Sequence, residues 1–311
     1  MSGPAAGEQV LVSAPPSLAR LYARSLAGGR RGGGLGERTL VLRQVDVDAE
    51  RVAAYARTCG YPAAGAVPLP YPHLLAFPLQ VQLMVTEAFP FRLLGLVHVR
   101  QQVVAHRRLS LTDRPSVQVR AERLVPHPRG ATVDLLARVD VGGEAVWEGR
   151  STYLARGART SGDAAPTEVA DIGDAADAAA GATGVAPTGP RDDGAPMPTT
   201  ALWRVPADTG RRYAAVSGDV NPIHLHPLAA RALGFPRAIA HGMWTAARAL
   251  AALEPRLPQA VRVDVQFRRP VLLPAALAFA AARPAQGGWD VVVRSRAGER
   301  VHLLGAVRPL G

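Results

Sequence analysis

The sequence predicts an α+β protein in which one unit occurs twice, each unit an antiparallel sheet wrapped around a central helix. Three observations carry this. Each half reads as helix, loop, helix and then strands. The two halves share letters at the end of a helix, YARTCG from Tyr55 lying over YAAVSG from Tyr213. Between them, from about Gly157 to Thr200, the composition shifts to Ala, Gly, Asp, Pro and Thr, which cannot bury enough apolar surface to order itself. The expected boundaries are therefore 1–157 for a degenerate N-terminal unit, 158–200 for a flexible linker and 201–311 for the unit that carries the chemistry. A short alanine-rich helix around Asp171 to Ala180 is the alternative inside the linker. A chain of 311 residues is long enough for two cores.

In chain order, SLARLYARSL reads as a surface helix that Ser17 can cap and Gly28-Gly29 can end. VDAERVAAYARTCG is a helix capped by Asp46 or Asp48 and stopped at Gly60. A proline-rich loop is expected next, then a helical segment from Leu79 to Ala88. Apolar or alternating runs from Leu94, Val117, Ala131 and Glu144 read as strands. The second half is expected to give a helix ending at Gly218, a helix from Met243, and strands near Val261, Val271, Trp289 and Arg300.

All 36 basic residues are arginine, and the net charge is +11, a field that suits polyanions, acidic proteins or phosphorylated carriers. The arginines are scattered and no dense basic run alternates with aromatics, which argues against nucleic-acid binding. The single Cys59 excludes an internal disulfide and there is no cysteine cluster for zinc. No apolar run approaches a membrane span and no secretion signal is evident at the N-terminus, so a cytoplasmic location is expected.

Chemically capable groups concentrate between Tyr213 and Met243. Gly218 ends a helix and Pro222 biases Asn221 away from helix, so Asp219 and His224 sit on a bent loop that can fold an acid and an imidazole toward one proton path. His241-Gly242 precedes a helix-forming run whose start points free backbone N–H groups forward, a candidate oxyanion site. The plainer reading is that DVNP merely caps the helix at PLAARAL.

The spacing Tyr-x-x-x-Ser-Gly-Asp-x-Asn-Pro-x-His with a later His-Gly-Met resembles the signature of the MaoC-like, or hydratase-2, family. The resemblance implies a hot-dog fold, doubled in this chain. It implies reversible hydration of trans-2-enoyl thioesters to (R)-3-hydroxyacyl thioesters, with neither metal nor redox cofactor. It puts the catalytic aspartate at Asp219, the histidine at His224, the supporting asparagine at Asn221 and the oxyanion N–H at Gly242. The double arrangement is similar to hydratases whose degenerate half shapes an acyl-chain tunnel, which makes the expected partner a medium- to long-chain thioester of CoA or acyl carrier protein. A pseudo-dimeric monomer or a homodimer is expected. The alternative is a non-catalytic subunit that binds acyl thioesters for a dehydratase complex.

Arg268 and Arg269, in a segment similar to the family strand near the thioester entrance, are candidates for the carrier's phosphates, solvated strand-edge charge being the plainer reading. His241 is kept outside the catalytic set, as a packing histidine is equally consistent with its position. Asp219, His224, His226 and His241 can also be drawn as a metal site, which the resemblance argues against. Ser217 lacks the G-x-S-x-G context of a serine hydrolase.

For the first half, the Tyr55 register sets Tyr61 opposite Asp219 and Ala66 opposite His224. A second register, PHLLAFPL over PRAIAHGM, sets Phe77-Pro78 opposite His241-Gly242, and proline has no N–H. The first half is thus expected to hold acyl chain near Ala76 and to do no chemistry.

Overall fold

The structure, a computed structural model, describes residues 8–27, 35–62, 66–158 and 197–310. The expected linker lies almost wholly outside the described residues. Eleven strands form one sheet: β1 (Gln9–Val12), β2 (Thr39–Leu42), β3 (Leu96–Ala105), β4 (Ser116–His127), β5 (Gly130–Val141), β6 (Glu144–Arg156), β7 (Thr199–Val205), β8 (Val261–Phe267), β9 (Ala275–Ala282), β10 (Trp289–Ser295) and β11 (Val301–Pro309). Their spatial order is β1-β2-β4-β5-β6-β3-β8-β11-β10-β9-β7. Read outward from the middle, β3-β6-β5-β4-β2 and β8-β11-β10-β9-β7 have the same connectivity, so the letter repeat corresponds to a structural one. Every pairing is antiparallel except the short β1–β2 edge, which is parallel.

The halves meet where β3 pairs with β8, from Arg100 opposite Gln266 to Ala105 opposite Val261. Buried Arg100 binds buried Asp264 across this seam with Nε–Oδ1 2.9 Å and Nη2–Oδ2 2.6 Å. Two charges out of water persist only when paired this closely. The core is common to both halves, with Tyr55, Leu79 and Trp147 in the same cluster as Tyr213, Leu250 and Val293.

Helices α1 (Leu18–Ala27), α2 (Ala49–Cys59) and α3 (Tyr71–Met84) belong to the first half. The second half supplies α4 (Thr209–Ser217), the short α5 (Pro222–Leu225) and α6 (Pro227–Ala232), and α7 (Gly242–Ala251). Helix α3 packs on β4 and β5, and α7 on β10, which is the wrapped-helix arrangement of a doubled hot-dog fold. Asp48 caps α2 by accepting from the Arg51 N–H at 2.9 Å, and Gly60 ends it at φ 76°. Gly218 ends α4 at φ 79°, a conformation glycine adopts without penalty. Buried Tyr55 and Tyr213 lie 6.1 Å apart across the pseudo-dyad. The Tyr55 register is therefore the structural one.

The other register is not. Pro78 lies inside α3, seven residues beyond its start, so Phe77-Pro78 cannot correspond to the helix start at Gly242. The structural counterpart of Gly242 is Tyr71, whose N–H is already taken by the Pro68 carbonyl at 2.9 Å. The first half does lack a free donor there, but for this reason. The expected proline-rich loop is also the first half of α3. Apart from Gln82, every residue of that helix is buried, so it has no polar stripe and shows no helical period in the sequence. Strands β1, β2 and β7 were not anticipated, β9 starts at Ala275 rather than near Val271, and β7 begins two residues before the expected boundary at 201. No helix among the described residues is long and apolar enough to cross a membrane.

Candidate active site

Between Gly60 and α3 the first half has ten residues, 61–70, whereas between Gly218 and α7 the second has twenty-three, 219–241. The extra chain is α5 and α6, and it carries the motif. Asn221 caps α5, its side chain accepting from the Ile223 N–H at 3.4 Å, and Pro222 follows at the first helical position. The cap is thus real but belongs to α5, while the helix at PLAARAL, α6, is capped by His226 instead, and the α5 cap is what holds His224 in place. Beneath the turn, Gly210 of α4 lies so close that a Cβ there would meet the His224 carbonyl oxygen at 2.1 Å.

His224 is buried, and its Nδ1 lies 2.9 Å from the Ile239 carbonyl oxygen. A carbonyl only accepts, so Nδ1 carries the hydrogen and Nε2 keeps its lone pair. His241, also buried, stacks on His224 with ring centroids 3.6 Å apart and donates from Nε2 to the Asp219 carbonyl oxygen at 3.0 Å. Burial pushes His224 below its usual range and, with His224 beside it, drives His241 down to about 3. Both rings are neutral at pH 7.

The Asp219 side chain is 23 % exposed. Its Oδ1 accepts from the Tyr22 hydroxyl at 2.6 Å and from the Asn221 N–H at 3.2 Å, and Oδ2 lies 3.7 Å from His241 Nε2. Burial alone would raise this carboxyl, but His241, His224, the Tyr22 hydroxyl and the Asn221 N–H together hold it below the usual carboxylate value. With both imidazoles neutral, what faces the carboxylate is hydrogen-bond donors, and Tyr22 gives the shortest bond.

A cavity of about 330 Å³ is bounded by Asp219, Asn221, His224, His241 and Gly242. Gly242 is the first residue of α7, so its N–H has no intrahelical acceptor. A Cβ there would lie 3.2 Å from the Phe267 ring, so a larger residue would push that ring back by a few tenths of an ångström. The first half adds Leu74, Phe77, Met84, Leu93 and Leu96 to the cavity wall, beside His73, His98 and Tyr153. Ala76, Tyr61 and Ala66 are not in this wall, which corrects the expected channel position; Phe77 is. Arg268 is half-buried and Arg269 exposed, both on the cavity wall just after β8, with exposed Arg129 and Arg156 of the first half. Asp219, His224 and His241 can each bring a ligand-type atom within 4.8 Å of the others. Two of those imidazole nitrogens already donate to carbonyls. His226 is apart from them, exposed, accepting from the Leu228 N–H.

The arrangement joins a carboxylate, an imidazole lone pair and an unpaired N–H on one cavity, the set needed to move a proton next to a carbonyl and hold the resulting negative oxygen. Sequence reasoning did not place His241 against His224 and missed Tyr22, which arrives from the helix read as surface. Only the placement of that helix against Gly218, where Leu18 lies 2.4 Å from a Cβ built on the glycine, reveals it.

Residues 184–301 match the MaoC-like domain model. The chain is 39 % identical over 294 residues to 3-hydroxyacyl-thioester dehydratase X of Mycobacterium tuberculosis, covering 94 % of this chain and 97 % of that protein. A crystal structure of that dehydratase superposes with a TM-score of 0.72 at 37 % identity, over 88 % of this chain and all of that one. A MaoC-like dehydratase from Phytophthora capsici shares the fold, with a TM-score of 0.68 at 15 % identity over 88 % of this chain and 94 % of that one. The motif, the doubled hot-dog sheet and the near full-length similarity agree, and the chain belongs to the MaoC-like dehydratase family.

Proposed function

We propose that this chain is a hydro-lyase that adds water reversibly to trans-2-enoyl thioesters, giving (R)-3-hydroxyacyl thioesters, in cytoplasmic fatty acid metabolism. The observation that carries the reading is the ionised Asp219 and the free Nε2 of neutral His224 facing one cavity at the N-terminus of α7. A relative of this length and identity, named for 3-hydroxyacyl-thioester dehydration, supports it. Asp219 and His224 hold one water; as its oxygen bonds to C3, one of them takes its proton and the same pair returns a proton to C2. The Gly242 N–H binds the thioester oxygen while it carries enolate charge. Asn221 holds the loop.

The reaction forms one C–O and one C–H bond from water and the alkene with no net oxidation or reduction, so it calls for no redox cofactor, and each step falls to a residue of the chain without a metal. CoA is the proposed carrier, since Arg129, Arg156, Arg268 and Arg269 around the cavity suit phosphate. The apolar first-half wall favours medium to long chains. One chain suffices for one site, because both halves line the cavity.

The test is loss of enoyl-thioester absorbance with pure protein, on CoA and on acyl carrier protein, at short and long chain lengths. Turnover that chelator leaves intact, with a product refused by an (S)-specific 3-hydroxyacyl-CoA dehydrogenase, is expected. Tight acyl-CoA binding without turnover at any length would leave a non-catalytic binding subunit instead.

A further inference from the structure

The N-terminal helix α1 completes a site whose other polar groups come from elements far along the chain. We propose that Tyr22 is a positioning residue that fixes which oxygen of Asp219 reacts. The inference rests on the hydratase reading above. Its geometry is a hydroxyl-to-Oδ1 distance of 2.6 Å across 197 residues of sequence, with the tyrosine buried. The Asn221 N–H also bonds Oδ1. With that oxygen doubly occupied, Oδ2 is the one left for water and substrate.

The groups facing Asp219 from every packed element are His241 before α7, His224 of α5, Tyr213 of α4, His73 of α3, His98 of β3 and Tyr153 of β6. Burial holds His73 near 4 and His98 near 3 and pushes the tyrosines up, so all are neutral at pH 7. Tyr22 is likewise pushed up, by burial and then by the Asp219 charge itself, and stays a neutral donor. Among the described residues it alone gives the carboxylate a side-chain hydrogen bond. A donor to the charged form lowers a carboxyl pKa, so its loss must raise it.

The experiment is a pH–rate profile of Tyr22→Phe in the full chain. Its acid limb should move up by about one pH unit, with kcat down about tenfold at neutral pH and KM within about twofold. Replacing Tyr22 by 3-fluorotyrosine, which keeps the shape and strengthens the donor, should move the limb the other way. The carboxyl carbon resonance of Asp219, identified by its loss in Asp219→Asn, should titrate in step with both limbs, independently of turnover. An acid limb and a carboxyl titration unmoved by both replacements, in a protein whose wild type hydrates enoyl thioesters, would overturn the inference alone. A wild type with no turnover would instead overturn the hydratase reading, and the carboxyl titration would still decide the role of Tyr22. If Tyr22→Phe does not fold, the fluorotyrosine shift decides.

Discussion

Replacing Gly210 by alanine should do the opposite of what helix propensity dictates. Gly210 is the second residue of α4, where alanine in place of glycine would ordinarily stabilise by up to about 1 kcal/mol. Here the new Cβ would lie 2.1 Å from the His224 carbonyl oxygen and 3.0 Å from its carbon. Taking 3.0 Å as the closest approach that Cβ atoms make to an oxygen, the turn must retreat by at least 3.0 − 2.1 = 0.9 Å. Overpacking of this kind costs about 1–3 kcal/mol, so the net change in stability runs from near zero to a loss of about 2 kcal/mol. The shift falls on the residue whose Nδ1 bond to Ile239 orients the reactive Nε2. A displacement of about 1 Å costs about 10²-fold in a reaction that depends on aligned groups. The assay is enoyl-CoA hydration beside urea denaturation. A variant about 1 kcal/mol more stable than wild type with unchanged kcat would refute the reasoning, since it would mean the α4–α5 contact is not close.

Asp219→Asn and His224→Gln should each lower kcat by about 10²–10⁴-fold with little change in unfolding midpoint, and the double variant should be little worse than either, because the two act on one water. Stability should fall as the solution is acidified below the ordinary histidine range: unfolded His73 and His241 take up a proton near 6.5, whereas the folded residues resist until about 4 and about 3. The unfolded chain therefore binds more protons in that window, and stability rises with pH through it, by about 2–3 kcal/mol per unit for the pair near pH 5. Denaturation curves equal at pH 7 and pH 5 would contradict this. Leu93→Trp, placed on the first-half wall of the cavity, should spare short enoyl thioesters and lose long ones, each methylene being worth about 0.8 kcal/mol; equal loss of both would remove that wall as the chain-length ruler.

What could be read from the sequence was local. Gly60 and Gly218 end their helices wherever the helices lie, since a left-handed residue is needed at each end, and the letters around them therefore aligned the halves correctly. Asp219, Asn221, Pro222 and His224 are five residues or fewer apart, and cap chemistry alone bends them together. The strands β3 to β6 showed because each contains a stretch that alternates between buried and less buried residues. Helix α3 hid itself because a helix buried on every side has no period to see, and the two prolines in it read as loop. That misreading also produced the wrong register for Pro78.

The sequence by itself determined the repeat and the motif, because these depend on residues close together in the chain. The tertiary structure decided the rest: that Tyr22 reaches Asp219, that His241 stacks on His224, and that Phe77 and Leu93 but not Ala76 face the cavity. Each of these joins or orients groups through the packing of two elements on one sheet. A contact across 197 residues leaves no spacing in a single sequence, since only the packing of α1 against α3 and Gly218 brings its two ends together.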